Sequence, residues 1–305
     1  MKPIKTVNIV GMGALGLLYG ALIAEGAGTD CVTYVMDEDR YARHKNDRYT
    51  ANGKPVHFSI VKAEDAKPCD LLIVAVKYPA LESALDTMTT SVGEDTLIIS
   101  VMNGISSEEI LGARYGMDRI IHAVALGMDA MHFGTELIYS KAGQLCLGVV
   151  DPTMAEKLNA LTAFLDGTSV TYTVEEDIIR RMWSKFMINV GINQTCMVYG
   201  TTYEGATVPG SVEYMTLIAA MREVILIANT EGIRLTEEDL MQSLGILHSL
   251  APDATPSMGQ DRINKRPSEV ELFAGTMIHF GQKHGIPLPA NEFLYRRVRE
   301  IEASY

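Results

Sequence analysis

The first half of the chain alternates short apolar runs with segments of helical periodicity. The runs that predict strands are 6–10, 31–35, 70–76, 96–101 and 120–125. Residues 71–76 are apolar throughout, which is typical of a strand buried on both faces of a parallel sheet. Strands that alternate with helices predict βαβ crossovers, and therefore an α/β domain with a Rossmann-type doubly wound sheet.

Further strands and a helix are predicted up to residue 174, and only helices after it. The β-like runs 136–139 and 144–150, separated by Lys141-Ala142-Gly143, predict a hairpin that extends the sheet. A helix over 153–165 and a strand over 169–174 follow. After residue 175 the strand signals stop, and helices are predicted at 175–199, 211–231, 236–250 and 267–285, with a last one to about 303. We therefore expect a dinucleotide-binding domain over 1–173 and an all-α substrate and catalytic domain over 174–305.

A glycine motif lies between the first predicted strand and the first predicted helix. Its six residues are Gly11, Met12, Gly13, Ala14, Leu15 and Gly16. The first glycine permits a tight turn, the second lets backbone amides approach a pyrophosphate, and the third lets the helix pack on the strand. The motif predicts a dinucleotide site at a helix N-terminus. The alternative is a glycine turn that serves packing only.

The end of the second predicted strand bears on the choice of cofactor. Asp37 lies where an acidic group binds the adenosine ribose 2'-hydroxyl in NAD-binding proteins. Arg40, His44 and Lys45 follow closely and could instead meet a 2'-phosphate. All four residues could also belong to an ordinary solvated loop.

A polar stripe runs along the otherwise apolar helix predicted over 175–199. Lys185, Asn189 and Asn193 are spaced i, i+4 and i+8, so they share one face. Buried polar groups must be paired, which indicates either a substrate cleft or a snorkelling lysine with two amides that cap neighbouring backbone. Glu269, in the first turn of a later helix, is either a carboxylate that faces Lys185 or a favourable partner of the helix dipole.

Two more polar residues lie at candidate ligand positions. Asn103 follows a predicted parallel strand, at the edge where ligands bind in open α/β sheets. It could equally be a left-handed turn residue before Gly104. Ser257 lies, with the residues up to Arg262, in a predicted loop before the helix at 267–285.

Composition narrows the classes of protein. The 305 residues are 47% hydrophobic and 21% charged, as in globular proteins, and the net charge of -12 argues against nucleic acid as a partner. No apolar run reaches the ~18–20 residues of a membrane span, and we expect no signal peptide. Four isolated cysteines and scattered histidines predict neither disulfides nor a metal site, and favour a cytoplasmic protein.

Over nearly its full length the chain resembles the ketopantoate reductase (2-dehydropantoate 2-reductase) family. The segments that carry the resemblance are the glycine motif, Val76-Lys77, Asn103-Gly104, 183–189 with Asn193, 257–261 with 267–271, and 283–291. The resemblance implies NADPH-dependent reduction of 2-dehydropantoate to pantoate, towards pantothenate and coenzyme A, in a cleft between the two domains. It implies a small 2-keto acid as substrate, and a monomer or homodimer.

The same resemblance implies roles for individual residues. Lys185 would be the general acid, and Glu269 would hold the substrate hydroxyl and help to position Lys185. Asn103, Asn189, Asn193 and Ser257 would bind substrate. Lys77 would lie near the nicotinamide end of the cofactor, which the glycine motif, Asp37, Arg40 and Asn103 would also contact.

The chain departs from the family pattern at several positions. Asp37 stands near the place of a basic residue, which leaves NADH as an alternative to NADPH. Gln194 replaces a common proline, Tyr203 a frequent asparagine and Pro256 a frequent serine. These changes leave open another branched 2-keto acid or an opine-like substrate. A dinucleotide-sensing protein without turnover is the remaining alternative.

Overall fold

The computed structural model describes residues 2–305, and the chain forms two units, Met1–Ile178 and Ile179–Tyr305. The first unit is α/β. Its helices and strands are β1 (Val7–Val10), α1 (Ala14–Ala27), β2 (Val32–Met36), α2 (Glu38–His44), β3 (Tyr49–Ala51), β4 (Lys54–Val56), β5 (Ser59–Lys62), β6 (Leu71–Val74), α3 (Leu81–Thr87), β7 (Leu97–Ser100), α4 (Ser107–Tyr115), β8 (His122–Leu126), β9 (Met131–Phe133), β10 (Glu136–Ile138), β11 (Gln144–Gly148), α5 (Ala155–Leu165) and β12 (Tyr172–Val174).

The main sheet has five strands in the order β5-β2-β1-β6-β7, and every pairing in it is parallel. The chain runs outward from β1 through β2 to β5, then returns to the other side of β1 for β6 and β7. The strand order therefore reverses between β1 and β6, which is where open α/β sheets bind ligands. The predicted doubly wound sheet is confirmed.

Apolar side chains cover both faces of this sheet. Leu17 and Ile23 of α1 and Leu161 of α5 are buried in the core on one face. Leu85 of α3 and Leu111 of α4 are buried in the core on the other face. Strands β1, β6 and β7 are buried at every residue, which explains why their sequences are mostly apolar, with Asn8 and Ser100 as the polar exceptions, rather than alternating.

The predicted hairpin of 136–139 with 144–150 is wrong. Strand β10 pairs antiparallel with β9 and parallel with β3, whereas β11 pairs antiparallel with β8 and parallel with β12. The connecting Gly143 lies against β8, since a Cβ there would be 2.2 Å from the carbonyl oxygen of Leu126. The apolar β11 is thus a central strand that needs a neighbour on each side, and local alternation does not reveal which neighbours it takes.

Strands β3, β4 and β5 were not predicted. Asn52 and Gly53 connect β3 to β4 with φ of 48° and 75°. Both values lie in the left-handed region that a tight hairpin turn requires, and Asn-Gly is the sequence most typical of it. This dipeptide was therefore a usable signal for the hairpin.

The second unit is helical. Its helices are α6 (Ile178–Tyr199, whose first residue closes the first unit), α7 (Tyr203–Ala206), α8 (Val212–Thr230), α9 (Glu237–His248), α10 (Ser257–Ile263), α11 (Thr276–His284) and α12 (Pro289–Glu302). A five-residue π-helical turn, Glu271–Gly275, leads directly into α11.

Several helix ends follow from side-chain chemistry. The Ser211 hydroxyl accepts a hydrogen bond from the Tyr214 amide and begins α8. Thr236 and Asp239 form the reciprocal capping box that begins α9, as predicted. Gly285 adopts φ 65° after the last residue of α11, the left-handed conformation that ends many helices.

Candidate functional site

Two glycines of the loop after β1 are required by the fold. Gly11 has φ 107°, and a Cβ on it would lie 2.4 Å from the carbonyl oxygen of Ala75. A Cβ on Gly16 would lie 2.0 Å from the carbonyl oxygen of Gly11. Burial holds the pKa of Tyr34 well above its usual value, so its hydroxyl stays protonated and donates to the Gly16 carbonyl at 2.8 Å. These contacts bind the loop, α1, β2 and β6 together.

Gly13 differs from its two neighbours in the motif. It is the exposed N-cap of α1, with φ -83°, and a Cβ built on it meets no atom within 4 Å. The protein itself therefore has no steric need for glycine there. Space at this position, beside the N-terminal amides of α1, fits a pyrophosphate that approaches the backbone closely.

A cavity of about 400 Å³ opens at the reversal point of the sheet. Its lining residues are Val10, Gly11, Met12, Gly13, Tyr34, Val35, Met36, Asp37, Arg40, His44, Ala75, Val76, Lys77, Ala80 and Thr87. The structure therefore brings together the glycine loop, the end of β2 and the residues after β6, which lie far apart in the sequence. Ala14 and Leu15 begin α1 next to this cavity.

Asp37 is part of a helix start rather than of a plain solvated loop. Its carboxylate accepts a hydrogen bond from the Arg40 amide at 2.8 Å and so caps α2. The Arg40 Nε also lies 3.5 Å from the other carboxylate oxygen. Both side chains remain 44% exposed, so each is accessible to a ligand in the cavity. Arg40 and His44 are basic groups on the same cavity wall.

The polar stripe of α6 includes a hydrogen-bonded cluster. Asn193 is 4% exposed, and its side-chain nitrogen donates to the side-chain oxygen of Asn189 at 3.3 Å. The Asn193 oxygen accepts from the Ser257 hydroxyl at 2.8 Å and from the Met258 amide at 3.2 Å. Asn193 thus caps neighbouring backbone and also holds a side chain of the stripe. Lys185 is half-buried one helical turn before Asn189.

Ser257 begins a helix, α10, so its expected place in a loop is wrong. The reason is tertiary: the Asn193 side-chain oxygen accepts a hydrogen bond from the Met258 amide in the first turn of α10, and Pro256 precedes the helix as N-cap. At the other end of α10, the Arg262 guanidinium donates to the Val198 carbonyl at 2.9 Å, near the C-terminus of α6. The segment therefore docks along the second half of α6.

The structure shows the burial and the neighbouring backbone of Glu269 and Asn103. Glu269 is 9% exposed, and the Ser268 amide before it donates to Glu302 at 2.7 Å. Asn103 is half-buried after β7. The left-handed alternative for Asn103 is wrong, because Gly104, with φ 93°, takes that conformation instead.

Tyr203, at one of the positions that departs from the family pattern, begins α7. Burial raises the pKa of its hydroxyl to about 12, so the phenol stays neutral at physiological pH.

The described chain, residues 2–305, contains no cluster of three or more histidine, cysteine or acidic side chains suited to a metal ion. None of the helices in that range has both the length and the apolar composition that a bilayer crossing requires.

Comparison with known proteins assigns the chain to a family. The fold and the glycine loop first place it among α/β proteins of the dinucleotide-binding type with a helical second unit. Residues 7–148 match the family model described as "Ketopantoate reductase PanE/ApbA", and residues 177–302 match its C-terminal model. The chain belongs to the ketopantoate reductase family.

Individual relatives agree over nearly the whole length. The 2-dehydropantoate 2-reductase of Streptococcus pyogenes is 24% identical over 97% of this chain and 98% of its own length. That of Archaeoglobus fulgidus is 25% identical over 98% of this chain and 99% of its own.

Solved structures include more than one activity. The 2-dehydropantoate 2-reductase from Geobacter metallireducens has a TM-score of 0.84 at 26% identity, and covers 97% of this chain and 99% of its own. A D-mandelate dehydrogenase with NADH and anilino(oxo)acetate has a TM-score of 0.87 at 21% identity, with 98% of each chain covered. At 21% identity, the similarity to the D-mandelate dehydrogenase shows a shared fold.

Proposed function

We propose that this protein is an NADPH-dependent 2-dehydropantoate 2-reductase, which forms pantoate in the cytoplasm for pantothenate and coenzyme A synthesis. Residues 1–173 would bind the dinucleotide, and residues 174–305 would bind the keto acid and supply the proton. The observation that carries the proposal is the hydrogen-bonded cluster of Asn189, Asn193 and Ser257 in a member of this family, since its two asparagines share one face of α6 with Lys185. The protein would act as a monomer or homodimer.

The residues at the cavity of the first unit fit a nicotinamide dinucleotide. Gly11, Met12, Gly13, Ala14, Leu15 and Gly16 would receive the pyrophosphate at the start of α1. Asp37 and Arg40 would contact the adenosine ribose, and Lys77 and Asn103 would lie towards the nicotinamide. When bound, the cofactor supplies the hydride, so the protein has to provide orientation, charge and a proton.

The second unit would provide that charge and proton. An ammonium aimed at the keto oxygen stabilises negative charge as it develops there, and Lys185 Nζ would donate the proton. A lysine suits this role because burial readily shifts its pKa. Glu269 would accept a hydrogen bond from the substrate hydroxyl, and Ser257 would bind the carboxylate. Asn103, Asn189 and Asn193 would hold the remaining polar atoms.

A second candidate is reduction of another 2-oxo acid. It is favoured by the similarity of the fold to a D-mandelate dehydrogenase and by Gln194, Tyr203 and Pro256 near the proposed site. A panel that crosses NADPH and NADH with 2-dehydropantoate, 2-oxoisovalerate, pyruvate and an aromatic 2-oxo acid separates the two candidates. We expect the highest kcat/KM with NADPH and 2-dehydropantoate. A higher value with the aromatic acid would favour the second candidate, and no turnover with any pair would favour a sensor.

Two glycine substitutions test the dinucleotide site. Gly13→Ala is expected to leave the melting temperature nearly unchanged, because its methyl group would enter open space. It should weaken cofactor binding by about 10- to 100-fold, since the backbone could no longer approach a pyrophosphate as closely. Gly16→Ala should instead destabilise the fold by about 2 kcal/mol or more, because of its backbone clash.

Calorimetric titration with NADPH and thermal unfolding measure these two effects separately. Unchanged NADPH affinity in a folded Gly13→Ala protein would exclude this loop from cofactor binding.

Cofactor preference is tested at the start of α2. Asp37→Asn keeps an N-cap acceptor but removes the negative charge, so its effect is not confused with loss of the cap. We expect it to raise kcat/KM for NADPH, whereas Arg40→Ala should lower it by about 10- to 100-fold with little effect on NADH. A wild-type enzyme that prefers NADH, and that shifts towards NADPH in Asp37→Asn, would reverse the proposed preference and assign Asp37 to the ribose hydroxyls.

A further inference from the structure

The helix that follows Glu269 contains one residue more than an α-helical turn can hold. The Phe273 amide donates to the Glu269 carbonyl at 3.2 Å, which is α-helical spacing. The Gly275 amide donates to the Val270 carbonyl at 3.0 Å, five residues back, which is π-helical spacing. In an α-helix the Val270 carbonyl would accept from Ala274 instead. The turn therefore displaces the Ala274 amide from its usual partner.

Gln194 of α6 takes the place of that partner. Its side-chain oxygen accepts a hydrogen bond from the Ala274 amide at 3.2 Å. Gln194 and Ala274 are both fully buried, so no solvent is available to the amide in its place. Because an unsatisfied buried donor is strongly destabilising, this single side chain makes the π-helical turn tolerable in the interior.

The orientation of the Gln194 amide is set from both ends. Its nitrogen donates to the Val190 carbonyl at 2.8 Å and lies 3.5 Å from the Asn291 oxygen. The Asn291 nitrogen in turn donates to a carboxylate oxygen of Glu223 at 2.7 Å, so its oxygen must face Gln194. A directed chain of hydrogen bonds thus runs from Ala274 through Gln194 and Asn291 to Glu223.

The extra residue affects where Glu269 points. Each residue of an α-helix turns the chain by about 100°, so one added residue rotates everything before it by about that angle relative to α11. Glu269 lies two residues before the π-helical turn, and Gln194 lies on α6, the helix that carries Lys185. By stabilising the turn, the Gln194 side chain thereby fixes the orientation of Glu269 relative to α6, the helix that carries Lys185.

We propose that Gln194 is a positioning residue. It holds Glu269 in the orientation in which the Glu269 carboxylate accepts a hydrogen bond from the hydroxyl group of the keto-acid substrate. This inference rests on the proposed function, and in particular on the role given to Glu269. It assigns to a buried amide that contacts no substrate a part in discrimination between hydroxylated and non-hydroxylated 2-keto acids.

The test uses Gln194→Leu, which keeps a similar volume and removes both hydrogen-bonding atoms. The measured quantity is the ratio of kcat/KM for 2-dehydropantoate to that for 2-oxoisovalerate, which lacks the hydroxyl. We expect the ratio to fall by about 10-fold or more, while kcat for 2-oxoisovalerate changes by less than about 3-fold. A merely structural role would lower both activities together.

A matched control lies at the next position of the same helix. Thr195 is also fully buried, and its hydroxyl has no hydrogen-bond partner among residues 2–305. Thr195→Val should therefore leave the substrate ratio unchanged. In the double variant Gln194→Leu/Glu269→Ala the ratio should be no lower than in Glu269→Ala alone, because both changes remove the same contact.

A wild-type ratio in Gln194→Leu, or losses that multiply in the double variant, would overturn the inference. If Glu269→Ala itself leaves the ratio unchanged, the proposed role of Glu269 fails instead. Hydrogen exchange of the Ala274 amide then tests the contact between Gln194 and the π-helical turn independently of activity. Exchange about 10- to 100-fold faster in Gln194→Leu supports the positioning contact, and unchanged protection contradicts it.

Discussion

Replacement of Lys185 with alanine is expected to lower kcat with 2-dehydropantoate by about 10²- to 10⁴-fold, the usual contribution of a positioned general acid. Folding and cofactor affinity should change little, since Lys185 is only half-buried and belongs to the helical unit. Steady-state oxidation of NADPH measures the first quantity, and calorimetric titration with NADPH measures the second.

Two further variants make this result specific. Lys185→Arg keeps the positive charge but hardly releases a proton at neutral pH, so it should recover only the electrostatic part of the effect. Lys283→Ala removes another lysine of the helical unit, one that pairs with Glu231 at 2.6 Å outside the proposed site. It should leave kcat unchanged. Near-normal turnover in Lys185→Ala would exclude Lys185 as the acid.

Replacement of Glu269 with alanine is expected to lower kcat/KM for 2-dehydropantoate by about 10- to 150-fold, the contribution of a hydrogen bond to a charged group. The loss should be much smaller for 2-oxoisovalerate. A site built to bind a hydroxyl loses most when that hydrogen bond is removed, and a substrate without the hydroxyl never forms it. Initial rates with both substrates measure the two losses.

Glu271→Ala is the matched control for this experiment. Glu271 is an exposed carboxylate two residues further along the same segment and accepts a hydrogen bond from the Tyr295 hydroxyl at 2.6 Å. Its removal should affect both substrates equally and weakly. Equal, large losses for both substrates in Glu269→Ala would instead mean that Glu269 serves stability or the positioning of Lys185.

Part of the site could be predicted because its geometry is local. The three glycines of the loop lie within six residues, and the spacing of Lys185, Asn189 and Asn193 places them on one helical face whatever surrounds it. The structure adds what spacing cannot contain. It separates Gly13, which the protein leaves sterically open, from Gly16, which its own backbone requires.

The roles proposed for other residues of the candidate site depend on contacts between residues far apart in the sequence. Ser257 begins a helix, and Asn193, 64 residues before it, accepts both from the Ser257 hydroxyl and from the Met258 amide of the first turn. Gln194 stood out only as a departure from a family pattern. Its bond to Ala274, 80 residues away, identifies it as the support of a π-helical turn. No local propensity predicts either contact.

By itself the sequence determined the strands β1, β2, β6, β7 and β8, the long helices after residue 175, the doubly wound sheet, the glycine loop and the family, because each depends on short-range periodicity or on a compact motif. Only the tertiary structure decided the partners of β10 and β11 and the π-helical turn after Glu269. The physical reason is the same in each case. A backbone amide or a strand edge must find a partner, and where local neighbours do not supply one, distant residues such as Gln194 do.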